Sequence, residues 1–172
     1  MLRWPLTVFL IGWLGIAVFG DITSKNGYEI LKVNHEFVDQ EGHTESQIGD
    51  LVDKARYQRQ LERSGAYSGL RFLIHWKAPS TPTPNLTIKL EAHGVHSQTG
   101  AHTVVVRTKT YEKKMHITGW AILDIAGEDL KSFGRLKAWK VTFLQNNVLV
   151  AELISFMWND VPAEPQKPTA TD

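Results

Sequence analysis

Hydrophobic and polar residues alternate through the second half of the chain with the period of two that a half-buried strand requires. Leu70, Phe72, Ile74 and Trp76 interleave with Arg71, Leu73 and His75, so one face of this segment is predicted to be core. Leu86, Ile88, Leu90 and Ala92 alternate with Thr87, Lys89, Glu91 and His93, the most regular such stretch in the sequence. Residues 103–108, 117–125, 138–144 and 148–156 continue the series, rich in Val, Ile, Thr and aromatic side chains. Between the last two, Asn146 and Asn147 tolerate the left-handed conformations of a tight turn, which predicts an antiparallel hairpin. Residues 28–38 supply a seventh strand of mixed polarity, with Tyr28, Ile30 and Lys32 on one alternation and Leu31 and Val33 on the other.

Residues 44–63 depart from this pattern. Ile48, Leu51, Val52 and Ala55 fall at helical spacing, and Lys54, Arg56, Arg59 and Arg63 load the far end, where the helix dipole favours cations. A short helix over 45–63 is the prediction. The alternative is a charged edge strand, because Leu51, Ala55, Tyr57, Arg59 and Leu61 also fit period two with faults. Pro79, Pro82 and Pro84 make residues 77–85 a rigid polar loop, and Pro162, Pro165 and Pro168 make 159–172 a solvated, disordered tail.

Seven short strands with no long helix between them predict a mainly β domain over residues 21–158, a two-sheet antiparallel Greek-key sandwich. In architecture it resembles immunoglobulin-like and fibronectin-III-like modules, best over residues 70–158, without the Cys…Trp…Cys set or tyrosine corner of the former. Such a sandwich implies that Leu86, Ile88, Leu90 and Ala92 meet Trp139, Val141 and Phe143 from the opposing sheet.

The N-terminus carries a different signal. Residues 4–19 are sixteen positions without a charge, preceded by Arg3 and followed by Gly20 and Asp21. That length lies between the roughly 7–15 residues of a secretory apolar segment and the roughly 20 of a spanning helix. A signal peptide cleaved after Val18-Phe19-Gly20, or an uncleaved signal anchor, is expected, and either exports the remainder. Residues 21–172 are then periplasmic or secreted, or held at a membrane by residues 4–19 with the domain outside.

Composition narrows the functional classes. Of the 172 residues, 42% are hydrophobic, which is enough for one sizeable core and excludes a disordered chain. A net charge of +1 argues against a nucleic-acid partner. The absence of cysteine excludes disulfides, Cys-ligated zinc, iron–sulfur clusters, a cysteine nucleophile and a lipid-bearing cysteine.

Three chemical candidates follow. His93, His96 and His102 lie within ten residues, and neutral imidazoles on a Gly-containing loop can converge on zinc or copper, with Glu91 adding an oxygen. Residues three apart on a strand point to opposite faces, so this needs a bend at Gly94; three solvent-facing histidines are the plainer reading. Glu128-Asp129 lacks the spacing of a calcium loop and reads as a short helical turn or loop joining two strands. Trp120 shares a face with Thr118 and Ile122, while Ala121 and Leu123 lie opposite. Burial of Trp120 is expected; exposure would mark it as a ligand contact, favouring carbohydrate.

No complete catalytic constellation stands out. His35-Glu36 lacks the second histidine of a zinc-protease motif, Ser68 is one place out of a nucleophile elbow, and no phosphate-cradling glycine loop occurs. The expected function is therefore a non-enzymatic exported module with a binding or structural role and an unknown protein or glycan partner. A histidine-based metal protein or a carbohydrate-binding module are the alternatives.

Overall fold

In a computed structural model that describes residues 22–44, 50–80, 85–96, 99–112 and 117–160, the described residues form eight antiparallel strands, two α-helices and a 3-10 turn. They run β1 (Ile22–Ser24), β2 (Glu29–Asp39), α1 (Leu51–Ser64), β3 (Tyr67–Lys77), β4 (Leu86–Val95), β5 (His102–Tyr111), β6 (Thr118–Ala126), α2 (Gly127–Phe133), β7 (Arg135–Gln145) and β8 (Val148–Ile154). One sheet has five strands in the order β1-β8-β7-β4-β5, the other three in the order β2-β3-β6. The apolar N-terminal run and residues 161–172 of the Pro-rich tail lie outside the described residues, although Asn159 and Asp160 belong to a 3-10 turn, Trp158–Asp160.

The expected alternation holds where it was most regular. Leu86, Ile88, Leu90 and Ala92 are all fully buried, as are Phe72 and Ile74, and together with residues of both sheets they form one hydrophobic cluster. The last hairpin also forms as expected, with Asn146 at φ 48° and Asn147 at φ 65°, β8 pairing antiparallel with β7.

One contact is corrected. Trp139, Val141 and Phe143 do not face β4 across the core. They sit beside it in the same sheet, with Ile88 opposite Phe143, Leu90 opposite Val141 and Ala92 opposite Trp139. Period two assigns a residue to a face, but a lateral neighbour and a facing one leave the same pattern in sequence.

Helix α1 begins later than predicted. Asp50 caps it, its side chain accepting from the Val52 N–H at 2.7 Å and more distantly from Asp53 at 3.4 Å, and Gly65 ends it at φ 67°. Its buried face also differs. Leu51 is 80% and Val52 63% exposed, whereas Leu61 is buried and Gln58 forms a reciprocal pair with the Phe37 backbone, accepting from its N–H at 2.6 Å and donating to its carbonyl at 3.1 Å. The apolar residues at the helix start misled the reading, because α1 is held along the β2 edge mainly by polar contacts. Glu128 and Asp129 open α2, a two-turn helix that carries the chain from the three-stranded sheet to the five-stranded one.

Candidate functional site

Strands β3 and β6 turn Leu70, Phe72, Ile74 and Trp76 on one, and Ala121, Leu123 and Ile125 on the other, into the core. The intervening residues therefore line the outer face of the three-stranded sheet. Register pairs them in rows: Lys32–His75–Trp120, Asn34–Leu73–Ile122 and Glu36–Arg71–Asp124.

Trp120 stands in the first row. The expected burial is overturned, since Trp120 is 51% exposed. Alternation with the buried Ala121 turns Trp120 to the outer face, while Trp76 packs on the core side over Gly119, its cross-strand partner; a Cβ at Gly119 would come within 2.7 Å of the Trp76 ring. The Trp120 indole instead stacks on His75 with ring centroids 4.5 Å apart and planes 10° from parallel. Each ring thus stands on edge above its strand, leaving the indole face away from His75 uncovered by any aromatic contact among the described residues. Ile122, 44% exposed, and the half-buried Leu73 extend this apolar strip along the sheet. The far row closes it with charge: Arg71 forms a bidentate pair with Asp124 at 2.9 and 3.0 Å, which raises the guanidinium pKa above its already high ordinary value. One side of the strip is apolar and aromatic, and its far end offers fixed hydrogen-bonding groups.

The histidines are placed separately. His93 points from the outer face of β4 into an edge-to-face contact with Trp158, centroids 4.7 Å apart, and Lys140 lies 4.8 Å above the same indole. His96 follows the end of β4, its Nδ1 buried without a hydrogen-bond partner among the described residues. His102 is exposed at the start of β5, opposite Val95. The three imidazoles do not form a group with converging ligand atoms, and Glu91 is engaged by Lys89 and Lys140, each at 3.3 Å.

The described residues contain one trio with ligand atoms within 4.8 Å of one another, Asp39, Glu41 and His43, which sequence reasoning did not single out. Its carboxylate is already committed. Asp39 Oδ1 accepts the backbone N–H groups of Glu41 at 3.0 Å and His43 at 2.7 Å, while Oδ2 accepts the Tyr57 hydroxyl at 2.5 Å and lies 3.3 Å from His43 Nδ1. This trio is a clasp that ties the turn after β2 to α1. The Tyr57 hydrogen bond, chiefly, holds the Asp39 carboxyl below its ordinary value, and the same bond pushes the Tyr57 phenol up to about 12.

A pH dependence follows from these signs. The depressed Asp39 stabilises the fold above its ordinary pKa of 3.8 and loses that contribution as pH falls further. The raised Tyr57 contributes fully below pH 10 and loses its share as pH climbs towards about 12. Urea titrations of Tyr57→Phe across this range are expected to show both limbs flattened relative to the unmodified protein. Unchanged limbs would mean that the clasp does not couple to folding.

No protein-family model matches the chain, and a search of curated proteins finds no match.

Proposed function

We infer that the protein is an exported, non-enzymatic β-sandwich module that holds its ligand on the outer face of the three-stranded sheet. The observation that carries this reading is the exposed Trp120, stacked on His75 at the head of an apolar strip where burial was expected. A large aromatic face left in water beside fixed polar groups is the usual composition of a binding surface. The sheet order supports a fibronectin-III-like Greek-key arrangement, with β2-β3-β6 facing β8-β7-β4-β5 and β1 added beyond β8. Export rests on the apolar segment at residues 4–19, and a mature N-terminus at Asp21 or a membrane-held chain is its signature.

A glycan is the first ligand class, since a flat indole face suits the apolar face of a sugar ring and the Arg71–Asp124 pair lies about 13 Å along the strand, where hydroxyl groups would meet it. Trp120→Ala is expected to leave the fold intact and to weaken binding to the best ligand of an oligosaccharide panel by about 2 kcal/mol, roughly 30-fold, as titration calorimetry would read it. Equal affinity in the variant would remove the strip from the reading. Exposure of Ile122, beside the half-buried Leu73, favours a protein partner as the second reading. In that case Ile122→Asp abolishes association, and no oligosaccharide binds either form.

A further inference from the structure

A concave site lies at one end of the molecule, where α1 and α2 approach the ends of β2, β3 and β7. Here a cleft of about 480 Å³ opens between the elements. Phe37 and Tyr67, their rings 4.6 Å apart, and the buried Leu70 form one apolar wall; Leu130 and Leu136 form the other. The volume falls within the roughly 300–1,000 Å³ common for small-molecule sites.

The rim carries charge of one sign in excess. Arg59, Arg63 and Arg135 line it together with a single acid, Glu62. Glu62 is taken by Arg135, with N and O 3.0 Å apart. Arg59 spends only its Nε, on the Ala55 carbonyl at 3.0 Å, and Arg63 has no ion pair or hydrogen bond to any described residue. Arg56, by contrast, is matched by Asp53 at 3.3 Å. The helix dipole favours cations at this end of α1, but two arginines one turn apart also repel each other, and no acid among the described residues neutralises either. Both also line an adjoining surface hollow of about 470 Å³ with Arg56, Gln60 and Ser64, so the positive field extends outward from the mouth of the cleft.

An apolar slot with an unmatched arginine pair at its mouth complements a molecule with one apolar end and one anionic end. We propose that the cleft between α1, α2 and the start of β7 binds a single-chain anionic amphiphile, its alkyl chain between Phe37 and Leu136 and its carboxylate on Arg59 and Arg63. Guanidinium groups suit this role because their planar donors meet a carboxylate in a bidentate way. The site is separate from Trp120 and does not depend on the reading of the outer sheet face.

The test is displacement of a fluorescent fatty-acid probe from the purified protein, with dodecanoate below its micellar concentration as competitor. Dodecanol shares the chain without the charge, acetate shares the charge without the chain, and dodecyltrimethylammonium reverses the charge. Dodecanoate is expected to displace the probe at least about tenfold more strongly than any of the three. The double variant Arg59→Gln/Arg63→Gln, whose side chains are exposed, is expected to remain folded and to lose that preference. Trp120→Ala is expected to bind dodecanoate normally. No displacement by dodecanoate, equal displacement by dodecanol, displacement by acetate alone, or an unaltered preference in the folded double variant would each overturn the proposal.

Discussion

Phe143→Ala is expected to cost about 3–5 kcal/mol of folding stability, against about 0.5 kcal/mol or less for Lys89→Ala. Phe143 is fully buried towards the C-terminal end of β7, between two fully buried cross-strand neighbours, Ile88 on β4 and Ala151 on β8. Truncation to Ala removes the ring from a close-packed layer that cannot collapse from either side, because both flanking strands are fixed by ladder hydrogen bonds. Without cysteine there is no disulfide to limit the damage, and the loss is a large share of the roughly 5–15 kcal/mol that holds a domain together. Lys89 lies on the other alternation of β4, and its only ion pair among the described residues is with Glu91, which Lys140 also holds at 3.3 Å. Chemical denaturation of the two variants measures the contrast. Comparable losses would mean that the inward face of the five-stranded sheet is assigned wrongly.

That assignment was legible in the sequence because alternation is a local property. Leu86 to Ala92 names its buried face without reference to any other strand, and Asn146-Asn147 names its turn by backbone chemistry alone. The neighbours of a strand are not local, which is why β7 was expected across the core from β4 and was found beside it. The same gap hid the outer-face strip. Trp120, Ile122, Leu73 and His75 are one surface only once β3 and β6 are paired in a particular register, and β4 and β5 intervene between them in sequence. Trp120 itself was misjudged because its burial depends on whether another layer covers the outer face of the three-stranded sheet, which the alternation within β6 does not report. Arg59 and Arg63 read as the basic end of a helix, which they are. That they border a cleft follows only from the docking of α2 and β7 against the same end.

The junction of α2 with β7 gives the second large effect. Phe133, the last residue of α2, is fully buried and presses on Gly94 of β4, at the register shift where β4 meets β7; a Cβ there would meet the Phe133 carbonyl oxygen and approach its ring to 2.8 Å. Gly134 follows at φ 71°, pressed against the Val95 carbonyl, so the chain turns into β7 through a space that only glycine fits. Phe133→Ala is expected to cost about 3–5 kcal/mol, as the ring is the anchor of a helix too short to be stable alone. Gly94→Ala overpacks the same spot and is expected to cost about 1–3 kcal/mol. The two should not add. In the Phe133→Ala background the added methyl at position 94 no longer meets a ring, so part of its cost disappears, while the contact with the backbone carbonyl keeps the rest. A double-mutant cycle by urea denaturation should therefore show a coupling of about 0.5–3 kcal/mol in the favourable direction. Strict additivity would mean that the Phe133 ring does not pack on position 94, and that its contribution comes from other contacts.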